Sequence, residues 1–235
     1  MPVRSSVGRT LTAVLSGRLV AGPRIEDAVR VAGELVRDGR RVALEHSPAP
    51  GDDAAGELVA LVGEIHAAGL AAHCELTLPA AQLGLIGTAA AAGLAVAVTG
   101  AVAVPGTTVV VPAGEPGAED RCRAAASGRV RLVQGPALGR HGAAADLAFV
   151  RCLNVLMAAD GRAEIAATDR RLIAIAGERA AWNGRTPESW EYVMPYGVLT
   201  DEQRRLVAGG FTVRVAVPSG GGAAALVIRR LGGRS

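Results

Sequence analysis

SWEYVMPYGVLTDEQRRLVAGGFTVRVAVPSGGGAAALVIRRL, residues 189–231, decides the fold. It begins with a short apolar run, SWEYVMPYG, and passes to a polar, helix-forming run, TDEQRRLVAGG. A second apolar run, FTVRVAVPSG, follows, and a short helix carries the pair Arg229–Arg230. Strand, helix, strand, helix in this order is the unit of a parallel α/β sheet.

The same alternation runs outward from it. Residues 24–39 place Ile25, Ala28, Val29, Ala32, Leu35 and Val36 at helical spacing, with Pro23 before the run and Gly39 after it. Further strands are read at Arg41–Glu45, Ala72–Leu78, Leu94–Thr99, Thr107–Val111, Val130–Val133 and Glu164–Ala167, and the opening stretch adds Trp190–Met194 and Thr212–Val217. Most are short and rich in Val, Ile and Leu, as strands buried on both faces are. Eight such strands alternating with helices predict a (β/α)8 barrel of the TIM type, and 235 residues suit one domain of that kind. One connection departs from the pattern. Only GAVAVPG, residues 100–106, separates the third strand from the fourth, whereas a parallel crossover normally takes a dozen or more residues. The barrel is therefore expected to be open or distorted at that point. The other reading makes the Ala-rich run before it, through Val98, part of a longer buried helix.

Composition narrows the function classes. With 50% apolar residues the chain is globular, and its net charge of +3 is spread along it with no basic cluster interleaved with aromatics. No nucleic-acid partner is expected. Every basic side chain is Arg, so no side-chain amine is available for a Schiff base. Cys74, Cys122 and Cys152 are odd in number and widely spaced, which predicts reduced, buried thiols in a cytoplasmic protein. No apolar run is long enough to span a membrane, and residues 1–22 form an extension without the pattern of a leader peptide. Glu45 and His46 end one strand, and His73 and Glu75 lie in the next. Glu45 and His46 point to opposite faces, and no HExxH-type helix accompanies them, so no metal is expected. Asp52–Asp53 reads as the cap of the following helix.

Several of these stretches resemble the proline dehydrogenase family, flavin enzymes built on a (β/α)8 barrel. The resemblance covers the chain from about Leu19 onward and makes residues 1–235 a single barrel domain. It is firmest in Val130–Gly135 and Phe149–Leu231. VRLVQG matches the family's fifth strand, AATD at Ala166–Asp169 its sixth, WEYVMPYG its seventh and VRVAVPSG its eighth. The resemblance implies that Arg229 and Arg230 hold the carboxylate of a substrate, with Glu191 and Tyr196 beside them. It places Arg131 and Gln134 against the flavin, FAD. A guanidinium fork suits a carboxylate, although two arginines ending a helix are also favoured by its dipole alone.

Other family positions are changed. Glu75 stands where the family has a lysine near the substrate carboxylate, and Thr99, Gly100 and Ala101 stand where it has an aspartate and its neighbours. Pro112 is near the place of a flavin-contacting glutamine, Gln134 replaces a flavin-contacting lysine and Thr168 replaces a histidine. Ala216, Ser219 and Leu226 replace tyrosines. Ser219–Gly222 reads as a loop without its aromatic lid, or as bare N–H groups able to bind an anion. The resemblance thus implies a proline dehydrogenase-like protein that has lost flavin-dependent proline oxidation. It would bind a small carboxylate or amino acid, or a protein partner that includes a second copy of itself. The alternative is an active FAD-dependent oxidoreductase acting on proline or a related imino or amino acid.

Overall fold

The structure, a computed structural model, describes residues 18–100, 103–135 and 142–232, without the side chains of residues 229–232. Eight parallel strands close into a barrel in sequence order: β1 Arg41–His46, β2 Cys74–Pro79, β3 Ala95–Thr99, β4 Thr108–Pro112, β5 Arg129–Val133, β6 Arg162–Ala166, β7 Trp190–Pro195 and β8 Val213–Ser219. Around them lie α1 Ile25–Arg37, α2 Ala54–Ala67, α3 Ile86–Ala91, α4 Ala118–Ala125, α5 Ala143–Met157, α6 Arg170–Trp182, α7 Thr200–Ala208 and α8 Ala223–Gly232.

The expected opening between β3 and β4 does not occur. These strands pair in parallel, Ala97 with Thr108 and Val98 with Val109, and close the barrel with the rest. The reason is reach. Eight residues joining Thr99 to Thr108 can cover about 26–29 Å when extended. A strand of five residues is only about 17 Å long. A chain can therefore return along the outside without a helix. The residues before β3 do form a separate short helix, α3, ended at Gly93.

Local signals hold the helices in place. In α1 the buried residues are Ala28, Val31, Ala32 and Leu35, one stripe at helical spacing. The Asp53 side chain accepts the Gly56 N–H at 3.0 Å and caps α2, while Asp52 accepts the Ala49 N–H. Asp169 caps α6 in the same way.

The hydrophobic core is a shell outside the barrel wall. One cluster centres on Phe149, Leu132, Ile165 and Tyr192, and another on Leu44, Leu61, Leu76 and Val217. Strand alternation sends Leu44, Leu76, Leu132, Ile165, Tyr192 and Val217 outward, against helix residues such as Leu61 and Phe149. The residues between them point into the barrel, and many of these are charged.

Candidate functional site

The site is built on that inward set. From the even-numbered strands, Glu75 (β2), Thr108 (β4), Glu164 (β6) and Arg214 (β8) meet at one level. Thr108 Oγ1 lies 3.4 Å from both a Glu75 and a Glu164 oxygen, and Arg214 Nη1 lies 3.8 Å from Glu75. Alternate strands sharing a layer is ordinary barrel geometry, but such layers are usually bulky and apolar. Here Ala43 and Ala97, on two of the other strands, are small, and Arg131 reaches from β5 into the space. Its Nε donates to Glu164 at 2.8 Å, and its Nη2 reaches Glu75 at 2.5 Å and Glu164 at 2.6 Å. Toward the N-terminal mouth, Glu191 takes Arg214 on one oxygen at 2.5 Å and both Arg162 and Arg41 on the other, at 2.9 and 3.4 Å.

Neighbouring charges divide two equally buried carboxyls, Glu75 and Glu164. Glu75 is pushed up to about 7, first by burial and then by the charges of Glu164 and Glu191, against the pull of Arg131 and Arg214. For Glu164 burial also opposes ionisation, but Arg131, Arg214 and Arg129 together outweigh it and hold it down at about 2. Charges so deeply buried persist only when paired and hydrogen-bonded. This network is the floor of what lies above it.

Above the floor, toward the C-terminal ends of the strands, is a cavity of about 520 Å³. Val110, Pro112, Val133, Ala166 and Ala216 give it apolar walls, Leu19 and Val227 cover it, and Arg131 lies at its base. Glu45, Thr77, Thr99, Gln134, Thr168 and Tyr196 supply its polar edges. The size and lining suit a small ligand. The Arg131 Nη1 makes one hydrogen bond among the described residues, a long one of 3.4 Å to Thr77 Oγ1. That edge of the guanidinium retains donor capacity.

The residues singled out from sequence are distributed as follows. Tyr196, Arg131 and Gln134 line the cavity. Glu191 does not. It is 1% exposed in the floor network, held by three arginines. Arg229 and Arg230 lie in α8 just beyond the cavity-lining Val227, and their side chains are outside the described residues. Gln134 is tied to its surroundings: its amide donates to Asp146 at 3.2 Å and its oxygen accepts the Thr168 N–H at 3.4 Å. The turn carrying Tyr196 is held from below by the buried Gln203, which donates to the Pro195 and Val198 carbonyls.

Glu164 and Arg214 escaped the sequence reading. Their signal was present: a lone charged residue between apolar neighbours, in VRV, AEI and CEL, at the same parity in several strands. The Ser219–Gly222 loop is not an open nest of N–H groups. Gly220 donates to the Gly22 carbonyl and Gly222 to the Ser47 carbonyl. A side chain at Gly220, where φ is +95°, would also run into Ser47. The glycines let this loop pack on the β1–α2 loop. His46 is on the outer face of β1, bonded to Ser219 Oγ at 3.0 Å and to Glu57 at 2.9 Å. Ser219 is fully buried there, so the trio pins α2 to the barrel wall and offers no nucleophile to the cavity. The three cysteines are free thiols and buried. No helix of the described residues is long and apolar enough to cross a membrane.

Fold and site together define a (β/α)8 barrel with a ligand-sized cavity at the C-terminal face, where barrels of this class carry their chemistry. No family model and no curated protein matches the sequence. Solved structures do match the fold. Proline utilization A from Bdellovibrio bacteriovorus, inactivated by N-propargylglycine, superposes with a TM-score of 0.81 at 13% identity over 93% of this chain. The Bradyrhizobium japonicum protein gives 0.68 at 16% identity over 92%, and the Corynebacterium freiburgense protein 0.57 at 15% over 96%. The chain spans 30–32% of the length of these three proteins. Its fold is proline dehydrogenase-like.

Proposed function

We propose that this barrel binds a small carboxylate in its C-terminal cavity and does so without flavin chemistry. The observation that carries the reading is the Nη1 edge of Arg131, with its long hydrogen bond to Thr77, at the base of a largely apolar cavity. A guanidinium edge in a water-poor pocket is a strong partner for a carboxylate, because the charge-assisted bond is poorly screened there. The apolar walls would take the rest of a compact amino, imino or keto acid. Arg229 and Arg230, reached from α8, would supply further positive charge from the covered side.

The donors among the described residues fit a flavin poorly. A flavin bound without a covalent link needs several directed contacts to its ring. Here Nε and Nη2 of Arg131 are committed to Glu75 and Glu164, and the Gln134 amide to Asp146 and Thr168. Gly100, Val110, Pro112, Val133 and Ala166 on the walls bring no side-chain donor.

The test is a thermal-shift series with proline, other amino acids and keto acids, each beside its amide. A carboxylate that raises Tm in a saturable way, with its amide inert, is the expected result. The double variant Arg229→Ala/Arg230→Ala should reduce the shift. Purified protein carrying the absorbance of a flavin would overturn the reading, as would indifference to every carboxylate in the series.

A further inference from the structure

The opposite mouth of the barrel carries an excess of positive charge. Arg41, Arg129 and Arg162 are the first residues of β1, β5 and β6 and point inward. Their side chains are 41%, 35% and 22% exposed, so they form the solvent edge of the interior, while Arg131 and Arg214 lie deeper. Five arginines thus share three glutamates, Glu75, Glu164 and Glu191, in the ion pairs of the interior.

The carboxylates are already committed. One Glu191 oxygen serves Arg214, and the other serves both Arg41 and Arg162. Glu164 spends one oxygen on Arg131. The other lies beside Thr108, and Arg129 approaches it only to 4.0 Å. Arg129 is therefore the least compensated cation, and it is the register partner of Arg162 on the neighbouring strand. Like charges placed side by side on a sheet repel. The buried Nε atoms of Arg129 and Arg162 have no acceptor among the described residues. Arg162 and Arg41 must be close to each other, since both touch the same oxygen. Burial, followed by the neighbouring guanidiniums Arg162, Arg214 and Arg129, lowers the pKa of Arg41 against the pull of Glu191. His73, just before β2, stands next to the Arg41 level in the β1–β2 register.

We propose that the N-terminal mouth of the barrel is an anion site for a tetrahedral oxyanion, inorganic phosphate or the phosphoryl group of a small metabolite, held by Arg41 and Arg129 with the charge of Arg162 beside them. Arg162 already gives Nη1 to the Glu188 carbonyl at 2.7 Å and Nη2 to Glu191 at 2.9 Å, so it adds charge while Arg41 and Arg129 supply the donors. Two guanidinium forks match an anion with several oxygens, and a monatomic anion would leave most of their donors unused. The site is separate from the C-terminal cavity and independent of what that cavity binds.

The experiment is titration calorimetry with inorganic phosphate on the full chain, against chloride and acetate at equal ionic strength. Saturable phosphate binding, with chloride and acetate weaker by at least tenfold, is expected. Arg129→Gln should weaken phosphate binding at least tenfold while leaving the circular dichroism spectrum and the urea midpoint nearly unchanged, because Arg129 has no close carboxylate to strand. Arg41→Gln provides a second variant with the same expected loss. Phenyl phosphate measured in parallel separates a free anion from an esterified one, and binding of either through Arg129 supports the site. Absence of saturable phosphate binding overturns the proposal. So does binding that survives Arg129→Gln and Arg41→Gln but is lost in the cavity variant Ala216→Phe, which would put the anion at the other mouth.

Discussion

The two halves of the barrel interior are filled by opposite means. On the N-terminal side, arginines and glutamates interlock around Thr108 and fill the axis with charge. On the C-terminal side, Gly100, Ala166 and Ala216 stop short of the axis, and a cavity of about 520 Å³ remains. Both halves are lined by the same alternation of strand residues. Side-chain length and charge alone decide which becomes a plug and which becomes a pocket. An ionic plug also makes the base of the pocket polar, so the half that stabilises the fold presents Arg131 to the half that can bind.

The comparison can be broken most forcefully at Arg131. Arg131→Met should strand Glu75 and Glu164 and cost about 3–5 kcal/mol in urea unfolding. Adding Glu75→Gln and Glu164→Gln should recover part of it, since the penalty is uncompensated charge. A loss below about 1 kcal/mol would mean that the plug is not what holds the interior.

Next in size is Gly220→Ala, just after β8 at the C-terminal rim of the barrel. Its left-handed backbone and the contact with Ser47 predict a loss of about 1–3 kcal/mol by the same measurement. An unchanged midpoint would show that the rim yields where the plug does not.

Smaller still is a pH effect. The folded pKa of Glu75 is raised to about 7, from an ordinary 4.5. Its contribution to stability is therefore complete below the ordinary value and is lost as pH rises through about 7. Glu164 runs the other way: its contribution is present above the ordinary carboxyl range and is lost as pH falls toward about 2. Between pH 5 and 8, Tm should fall more for the native chain than for Glu75→Gln. Parallel slopes would remove Glu75 from the account.

The smallest stability change should come from Ala216→Phe. The ring enters existing space, so its cost should stay below about 1.5 kcal/mol. It should nonetheless abolish the carboxylate-induced thermal shift. A large loss of stability there would mean that the pocket is packed as tightly as the plug.

Much of the fold was legible from local signals. The runs VRLVQG, WEYVMPYG and VRVAVPSG each combine β-forming residues with a bounding glycine, and each is a strand. Pro23, Gly39 and Asp53 mark helix limits as their backbone chemistry requires. The β3–β4 connection was misjudged because the usual crossover length reflects the habit of inserting a helix, whereas closure needs only enough chain to reach back. The site was half legible. Tyr196, Gln134 and Arg131 fall at strand ends or among inward positions, where alternation alone brings them near the axis. Glu191 follows the same alternation but sits too near the start of β7, and depth along the strand separates a floor residue from a pocket residue.

By itself the sequence determined the number and order of the strands and which residues of each face the axis, because period-two alternation and turn residues act over a few neighbours. Only the tertiary structure decided which charges meet. Glu75, Arg131, Glu164, Glu191 and Arg214 come from five different strands, and their pairing depends on barrel closure and on the stagger between strands. That stagger set Glu75 beside Arg131 and left Arg129 short of a partner, and long-range geometry of this kind is not written in any one segment.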